Sequence, residues 1–305
     1  MRSYSSAKFF RGSIICLILV LIGCSRGDVP LLGSPTTETP AVSEETQLSP
    51  TITPAAQEKY PLQREYAAVW ASIEDGFNVR NQAGISAAVV EVIPWDSHQI
   101  YLTGNRSLLG SSLWLEIKTE GGATGWVNAW NLTEYVPSGQ FCEDSRVHDL
   151  LDDFRQALLS PEDLTLMEFI SPNRGLSIRL NWYGPDVTFS VDKVDSIFTD
   201  VSEFDWGTMA DSGLQVMGSF EKIIQPKLED VFSGASEVLC NELNWGSTAG
   251  EVLWPDEIEN INFYAFYRPA EENGNEFSWR TWAVGIEYVN DQPFIAILVH
   301  YSSEL

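Results

Sequence analysis

Hydrophobic and polar residues follow different patterns along the chain, and the changes of pattern divide it into four parts. Residues 1–23 hold a basic start and an unbroken apolar run, whereas residues 24–60 are rich in Pro, Ser, Thr and Glu and have no period. Residues 65–136 carry short runs with a period of two, which is typical of β-strands. Residues 140–305 begin with helical spacing and end with long strand-like runs. The pattern predicts a multidomain protein, in which a small all-β domain precedes an α+β domain with helices first and an antiparallel sheet last.

Short strand-like runs separated by turn residues fill residues 65–136. The runs cover residues 68–73, 98–103, 113–118 and 125–128. Between them stand glycine-containing turns, namely Asp75-Gly76, Gly104-Asn105 and Gly121-Gly122. Several short strands at this spacing predict a small closed barrel.

Motifs in the same region resemble a known family of small barrels. Their order is Phe77-Asn78-Val79-Arg80, Ala83-Gly84, Trp114-Leu115-Glu116-Ile117, Gly125-Trp126-Val127 and Leu132. This order is similar to that of a bacterial SH3 (SH3b) domain over residues 65–136. The chain departs from the family where Ala83 replaces a usual Pro and where the segment Gly104 to Ser112 is longer. The resemblance implies an SH3-like barrel that acts as a binding module, in a family often linked to cell-wall peptides and glycans.

The first half of the C-terminal region predicts helices and one hairpin. Apolar residues between Val147 and Leu158 fall at helical spacing and predict a helix over residues 144–159. Ser160-Pro161-Glu162-Asp163 is a helix-start pattern, which predicts a second helix ending near Ser171-Pro172. Alternating runs on either side of Gly184-Pro185 predict a hairpin. Ser219 begins a further helical pattern, in which Pro226 predicts a kink or a restart.

The end of the chain predicts three long strands. They cover residues 261–267, 277–289 and 293–301, and Asn290-Asp291 fits a two-residue turn between the last two. The final run is apolar on both faces, so we expect that strand to be buried on both sides.

The first segment predicts export and anchoring. Arg2, Lys8 and Arg11 precede an apolar run that is short for a permanent membrane helix and suits a signal peptide. The run ends in Leu21-Ile22-Gly23-Cys24, which resembles a bacterial lipobox. The resemblance implies lipidation of Cys24, cleavage before it, and attachment to the membrane on its extracytoplasmic face. An uncleaved signal anchor with a chance cysteine is the alternative.

The charge balance excludes some partners. The chain has 18 Lys and Arg against 43 Asp and Glu, a formal charge of −25. Loss of residues 1–23 removes three cations and no acid, which brings the charge to −28. Nucleic acids need clustered cations, so we expect no nucleic-acid partner.

Residues 24–60 cannot bury enough apolar surface to fold, and their prolines favour an extended linker between the anchor and the folded domains.

Two cysteines remain in the predicted mature fold. Cys142 and Cys240 in an exported chain predict one disulfide, with two separate buried thiols as the alternative. Cys142 with His148 or His300 as base offers the groups of a Cys/His peptidase, although the Asp-Cys-Ser-Gly signature of that family is absent. The three histidines show no metal-binding spacing, and we predict no metal and no cofactor.

Eleven tryptophans offer candidate ligand contacts. Trp95 and Trp130 are the aromatic residues that a barrel core needs least, and Trp206 and Trp245 lie in predicted loops beside polar residues. The alternative is that these rings only cover hydrophobic cores. The sequence therefore favours a lipid-anchored envelope protein that binds wall peptide, glycan or a protein. The competing hypothesis is a cell-wall or other hydrolase with its active site in residues 140–305. A glycosidase needs two catalytic carboxylates, and acids such as Asp205, Asp211, Glu242 and Glu287 are candidates for that pair.

Overall fold

A computed structural model describes residues 59–160, 165–209, 212–234, 237–248, 252–271 and 275–303. The predicted signal peptide, the lipobox with Cys24, and the linker up to residue 58 lie outside the described residues. The same holds for most of the Ser160-Pro161-Glu162-Asp163 pattern and for Asp211. The described part is mostly β-sheet with few helices.

Seven strands form the N-terminal part, which we call the N-terminal unit (residues 59–136). They are β1 (Tyr66–Ala68), β2 (Phe77–Arg80), β3 (Val89–Ile93), β4 (Tyr101–Leu109), β5 (Ser112–Lys118), β6 (Thr124–Asn128) and β7 (Leu132–Glu134). Five of them make an antiparallel sheet in the order β3-β2-β6-β5-β4, and β1 pairs with β7. Phe77 and Val79 on β2 are buried and alternate with half-buried Asn78 and Arg80, as a strand with one face on a core requires.

A glycine allows β2 and β6 to meet. A Cβ atom on Gly125 would lie 2.6 Å from Cγ1 of Val79 and 2.7 Å from the carbonyl oxygen of Arg80. Only glycine fits so close an approach of two backbones. The core of this unit therefore depends on Gly125 as well as on its buried side chains, which include Tyr66, Phe77, Val79, Ile100, Leu115, Ile117 and Val127.

The C-terminal part has helices and a larger sheet. Its elements are α1 (Ser138–Glu143), α2 (Ser145–Leu159), β8 (Leu176–Arg179), β9 (Val187–Phe189), α3 (Val191–Val194), β10 (Phe204–Thr208), β11 (Gln215–Gly218), α4 (Phe220–Ile223), α5 (Gln225–Gly234), β12 (Glu237–Cys240), β13 (Asn262–Arg268), β14 (Arg280–Val289) and β15 (Gln292–Ser302). Six strands form one sheet in the order β12-β13-β14-β15-β8-β9, and β10 pairs with β11.

Alternate side chains of the central strands enter two different cores. Trp282, Val284 and Ile286 of β14 pack with residues of α2 and α5, such as Phe154 and Phe232. Ala283 of β14 and the alternate β15 residues Ile297 and Val299 pack into the second core. The final strand is buried on both faces, as its apolar sequence predicts.

Several predicted elements are confirmed and two need correction. The helix from Ser145 to Leu159, the β8–β9 hairpin and the restart at Pro226 are present. The sheet is not purely antiparallel, because β8 runs parallel to β15. The second helix predicted to reach Ser171-Pro172 is wrong in its described part, where residues 165–172 contain only a 3₁₀ turn, Leu166–Glu168. Ile295 accounts for this, since its N–H donates to Phe169 O and its carbonyl accepts from Ser171 N, which holds the segment along the sheet.

The N-terminal unit and the C-terminal part are joined by buried contacts. Val69, which is fully buried, belongs to the second core of the C-terminal part. The side-chain amide of Asn260 donates to the carbonyl of Ala68, and Glu134 accepts from the backbone N–H groups of Asn290 and Asp291. The described residues therefore form one compact body.

Candidate functional site

A groove with a volume of about 590 Å³ opens on the N-terminal unit. We call it the amide groove, because three asparagines, Asn78, Asn128 and Asn131, line it together with aromatic rings. Phe77 and Trp114 are almost fully buried and form its apolar base, and Trp70 is half-buried at one side. The remaining lining residues used below are Asp75, Arg80, Ile85, Leu109 and Ser112.

Strand geometry places the polar side chains of the groove. Asn78 and Arg80 are two residues apart on β2 and therefore share one face of the strand. Ser112 and Trp114 share a face of β5 for the same reason, and Trp114 lies directly opposite Asn128 on β6. Asn78 and Asn128 thus stand beside aromatic rings on strands, and Asn131 lies in the 3₁₀ turn Ala129–Asn131. Polar groups beside aromatic rings are the usual composition of a ligand pocket.

Hydrogen bonds hold two of the three amides in place. The Asn128 side-chain oxygen accepts from Trp130 N at 3.0 Å, and Asn131 Nδ2 donates to the carbonyls of Val69 and Trp70 at 3.2 and 2.8 Å. Other polar atoms of these side chains make no hydrogen bond to any other described residue. They are Asn128 Nδ2, Asn131 Oδ1 and both polar atoms of the Asn78 amide. An amide offers both donors and acceptors, so the groove presents both kinds of polar group to a ligand.

The groove is close to electrically neutral, although the chain carries a charge of −25. Among the described residues that line it, Asp75 and Arg80 are the ionisable ones, and they have opposite charges. One guanidinium nitrogen of Arg80 donates to the Ala87 carbonyl at 2.7 Å. At the rim, Ile85 is 82% exposed and Leu109 is 45% exposed. This balance suits an uncharged ligand with both apolar and amide or hydroxyl groups.

Trp70 connects the groove to loops of the C-terminal part. Its φ of 48° is unusual for a tryptophan, and its N–H donates to the Glu257 carbonyl at 2.5 Å. The indole N–H of Trp70 donates to Asp186 at 3.1 Å. These contacts fix the side of the groove to residues that lie more than a hundred positions later in the chain.

Arg174 lies behind this part of the groove. Its guanidinium carbon is 4.7 Å from the Trp70 ring centre and 5.4 Å from that of Trp130. Arg174 Nε donates to the Glu287 carboxylate at 2.6 Å, and its other nitrogens donate to the carbonyls of Trp130 and Leu132. Ser171 Oγ donates to the second carboxylate oxygen of Glu287. A buried, fully paired cation therefore joins the two parts of the body.

The structure does not bring the four predicted tryptophans together. Trp130 is 40% exposed and lies beside the groove, whereas Trp95 is half-buried against the core of the N-terminal unit. Trp245 is 46% exposed and does not line the groove. Trp206 is fully buried, and its indole N–H donates to the Gly218 carbonyl at 2.9 Å. This corrects the expectation for Trp206, because Phe189 and Phe204 pack on its ring and leave no surface for a ligand.

The cysteine and histidines considered for a Cys/His peptidase are already bonded or buried in the described part of the chain. Cys142 and Cys240 form a disulfide with their Cα atoms 5.8 Å apart, so Cys142 carries no free thiol. His148 Nε2 lies 2.8 Å from the Tyr264 hydroxyl. His300 is buried, and burial, with a smaller effect of the Lys227 charge, lowers its pKa to about 3.

The acidic residues considered as a catalytic carboxylate pair each lie in a different environment. Glu287 is buried and ion-paired with Arg174, while Asp205 is exposed and bonds Gln215. Glu242 is exposed on the surface. Among the residues with described positions, no group of three His, Cys, Asp or Glu side chains converges as a metal site would require.

Comparisons with known proteins return no match, whether to family models, to curated proteins or to solved structures.

Of the helices in the described ranges, none has the length and apolar character to cross a membrane. The longest of them, α2, is amphipathic, with Val147, Leu151 and Phe154 buried and polar residues on its other side.

Proposed function

We propose that this protein is anchored by a lipid on Cys24 to the extracytoplasmic face of a bacterial membrane, and that its amide groove binds a neutral polymer of the cell envelope. The lipobox-like residues Leu21 to Cys24 support the anchor. The observation that carries the binding role is the groove itself, which is neutral and lined by amides in a chain of charge −25. Wall peptide and glycan are the ligand classes that fit this chemistry.

The polar groups of the groove match those of such polymers. Peptide bonds and acetamido groups each carry one N–H donor and one carbonyl acceptor, and an asparagine side chain pairs with both. The Asn78 amide makes no hydrogen bond inside the described protein, so no internal bond has to break when a ligand arrives. Phe77 and Trp114 provide apolar surface beside it.

Electrostatics favour a neutral ligand over an anionic one. Nucleic acids and other polyanions gain their affinity from several cations that displace counterions. The groove has one cation, Arg80, and one acid, Asp75, and the rest of the molecule repels anions. Binding in this groove should therefore change little with salt, because few charges take part.

The SH3b-like interpretation of the N-terminal unit is part of the proposal. It is supported by the five-stranded order β3-β2-β6-β5-β4, by the close packing at Gly125, and by the motif residues Asn78 and Trp114. In this interpretation the long segment after β2 and the β4–β5 hairpin form the two sides of the groove, which carry Ile85 and Leu109.

Co-sedimentation with purified sacculi tests the proposal. Residues 59–305 should be retained, with little change as the salt concentration rises. Asn78→Ala should weaken retention by about threefold to tenfold, the usual effect of losing one hydrogen bond. Asn81→Ala is the matched control, because Asn81 is exposed, lies outside the groove and makes no side-chain hydrogen bond among the described residues.

Two outcomes would contradict the proposal. Absence of retention at every salt concentration would exclude wall binding, and equal losses for Asn78→Ala and Asn81→Ala would exclude the groove as its site. Release of soluble fragments from the sacculi by the protein would instead favour the hydrolase alternative.

A further inference from the structure

A second cavity adjoins the amide groove where the N-terminal unit meets the C-terminal part. Its volume is about 340 Å³, and it shares Ser112 and Asn128 with the groove. We call it the Trp130 recess; its other lining residues used here are Tyr60, Trp130, Asn173 and Arg174. Two residues line both cavities, so the recess lies directly beside the groove.

Trp130 gives the recess a flat apolar surface. The residue is 40% exposed, which is unusual for so large a ring packed at an internal contact. Arg174 covers part of the ring, with its guanidinium carbon 5.4 Å from the ring centre, and the Trp70 ring centre is 6.3 Å away. These contacts keep the indole in one orientation while leaving part of it open to the recess.

Asn173 supplies an acceptor that the protein does not use. Its side-chain oxygen is buried, yet it has no hydrogen-bond partner among the described residues. An unpaired buried acceptor costs about 1–3 kcal/mol, so such groups are rare unless a partner arrives from outside. This oxygen is closed to water in the free protein, so a ligand hydroxyl or amide N–H in the recess satisfies it only when the Asn173 side chain turns toward the cavity. Asn128 Nδ2 and the Ser112 hydroxyl add a donor and a hydroxyl at the boundary with the groove.

The charges in the recess are already neutralised. Arg174 donates to Glu287 and to the carbonyls of Trp130 and Leu132, so its guanidinium nitrogens already make hydrogen bonds within the protein. Burial raises the pKa of Tyr60 to about 12, so its hydroxyl is neutral at ordinary pH. An anionic ligand therefore gains no free cation here, and an uncharged one avoids the cost of losing water around a charge.

We infer that the Trp130 recess is a subsite for one neutral sugar ring, next to the part of the ligand that lies in the amide groove. A sugar ring has an apolar C–H face, which can lie on the exposed indole of Trp130, and a rim of hydroxyls, which can donate to Asn173 Oδ1. This inference rests on the proposed function for its ligand, since it assigns the sugar component of a wall polymer to a defined place.

Isothermal titration of residues 59–305 with chitotetraose, a neutral oligosaccharide, tests the inference. The wild type should bind, and Asn173→Ala should weaken binding by about threefold to tenfold without lowering Tm, since its side-chain oxygen has no internal partner. Trp130→Ala should abolish detectable binding and Trp130→Phe should restore part of it. Asn81→Ala should leave the affinity unchanged.

The possible results separate this inference from the proposed function. Failure of the wild type to bind chitotetraose, with sacculus retention that still depends on Asn78, would overturn the recess assignment and leave the groove proposal standing. Binding of chitotetraose that is insensitive to Asn173→Ala and Trp130→Phe would also overturn it. The same holds if a soluble wall peptide, but not the sugar, responds to these variants.

Discussion

Replacement of Arg174 by Met should cost this protein a large share of its stability. The Arg174 and Glu287 side chains are only 2% and 1% exposed, so the substitution leaves a buried carboxylate without its cation. Removing one partner of a buried ion pair costs about 3–5 kcal/mol. The carbonyls of Trp130 and Leu132 also lose a donor, at about 1 kcal/mol each. The expected loss is therefore about 4 kcal/mol or more, against a typical total of about 5–15 kcal/mol for a folded domain.

Urea unfolding followed by tryptophan fluorescence and far-ultraviolet circular dichroism measures this loss. Arg64→Met is the matched control: Arg64 is 42% exposed, its contact with buried Glu134 is long at 3.8 Å, and its other partner, Asp291, is 44% exposed. It should cost less than about 1 kcal/mol. The double variant Arg174→Met/Glu287→Met should be more stable than Arg174→Met alone, because no buried charge remains unpaired. A loss below about 1 kcal/mol for Arg174→Met, or a double variant less stable than the single one, would refute the reasoning.

Three further predictions follow from single features of the molecule. Burial lowers the pKa of His300 from 6.5 to about 3, so between these pH values only the unfolded chain takes up the proton, and the stability of the fold decreases as the pH falls. In urea unfolding experiments, the wild type should lose about 2 kcal/mol relative to His300→Gln between about pH 7 and pH 5. Equal dependence of the two proteins' stabilities on pH would contradict this. The disulfide between Cys142 and Cys240 closes a loop with a sequence separation of 98, so its reduction should lower the free energy of unfolding by about 4–5 kcal/mol. The mass of the unreduced protein should be lower than that of the reduced protein by two hydrogen atoms, and equal masses would rule out the bond. Cys24→Ser should abolish lipid labelling in cells, whereas continued labelling would place the lipid elsewhere.

Elements with a clear local signal were predictable from the sequence. The strands β13, β14 and β15 follow from runs of alternating or wholly apolar residues. The turn between the last two strands follows from Asn290-Asp291, because asparagine and aspartate tolerate the positive φ values of 55° and 66° found there. The pairing of Cys142 with Cys240 followed from there being no other cysteine in the predicted mature fold.

Features that depend on distant residues were not predictable. Ser160-Pro161-Glu162-Asp163 is a strong helix start, but the bonds of Ile295 to Phe169 and Ser171 hold the following segment in the sheet. Trp206 stands beside polar residues in the sequence, yet strand alternation in β10 turns its ring into the core. Arg174 has no local signal at all, since its partners lie more than forty positions earlier or more than a hundred later.

The candidate site was only partly visible in the sequence. Asn78 and Trp114 belong to the SH3b-like motifs, but nothing near Asn128, Asn131 or Asn173 marks them as lining residues. Their common position comes from the register of β5 with β6 and from the contact between the two parts of the body. Amide side chains carry no periodic signal, so only the folded arrangement shows that Asn131 lines the amide groove, Asn173 the Trp130 recess, and Asn128 both.

Nuclear magnetic resonance titration of residues 59–305 with solubilised, uncharged wall fragments is the most direct test of the central claim. The account predicts saturable shifts of the Asn78 and Asn128 side-chain amides and of the Trp114 indole N–H, which persist at high salt. Shifts confined to residues outside the amide groove and the Trp130 recess, or no shifts at any fragment concentration, would contradict it.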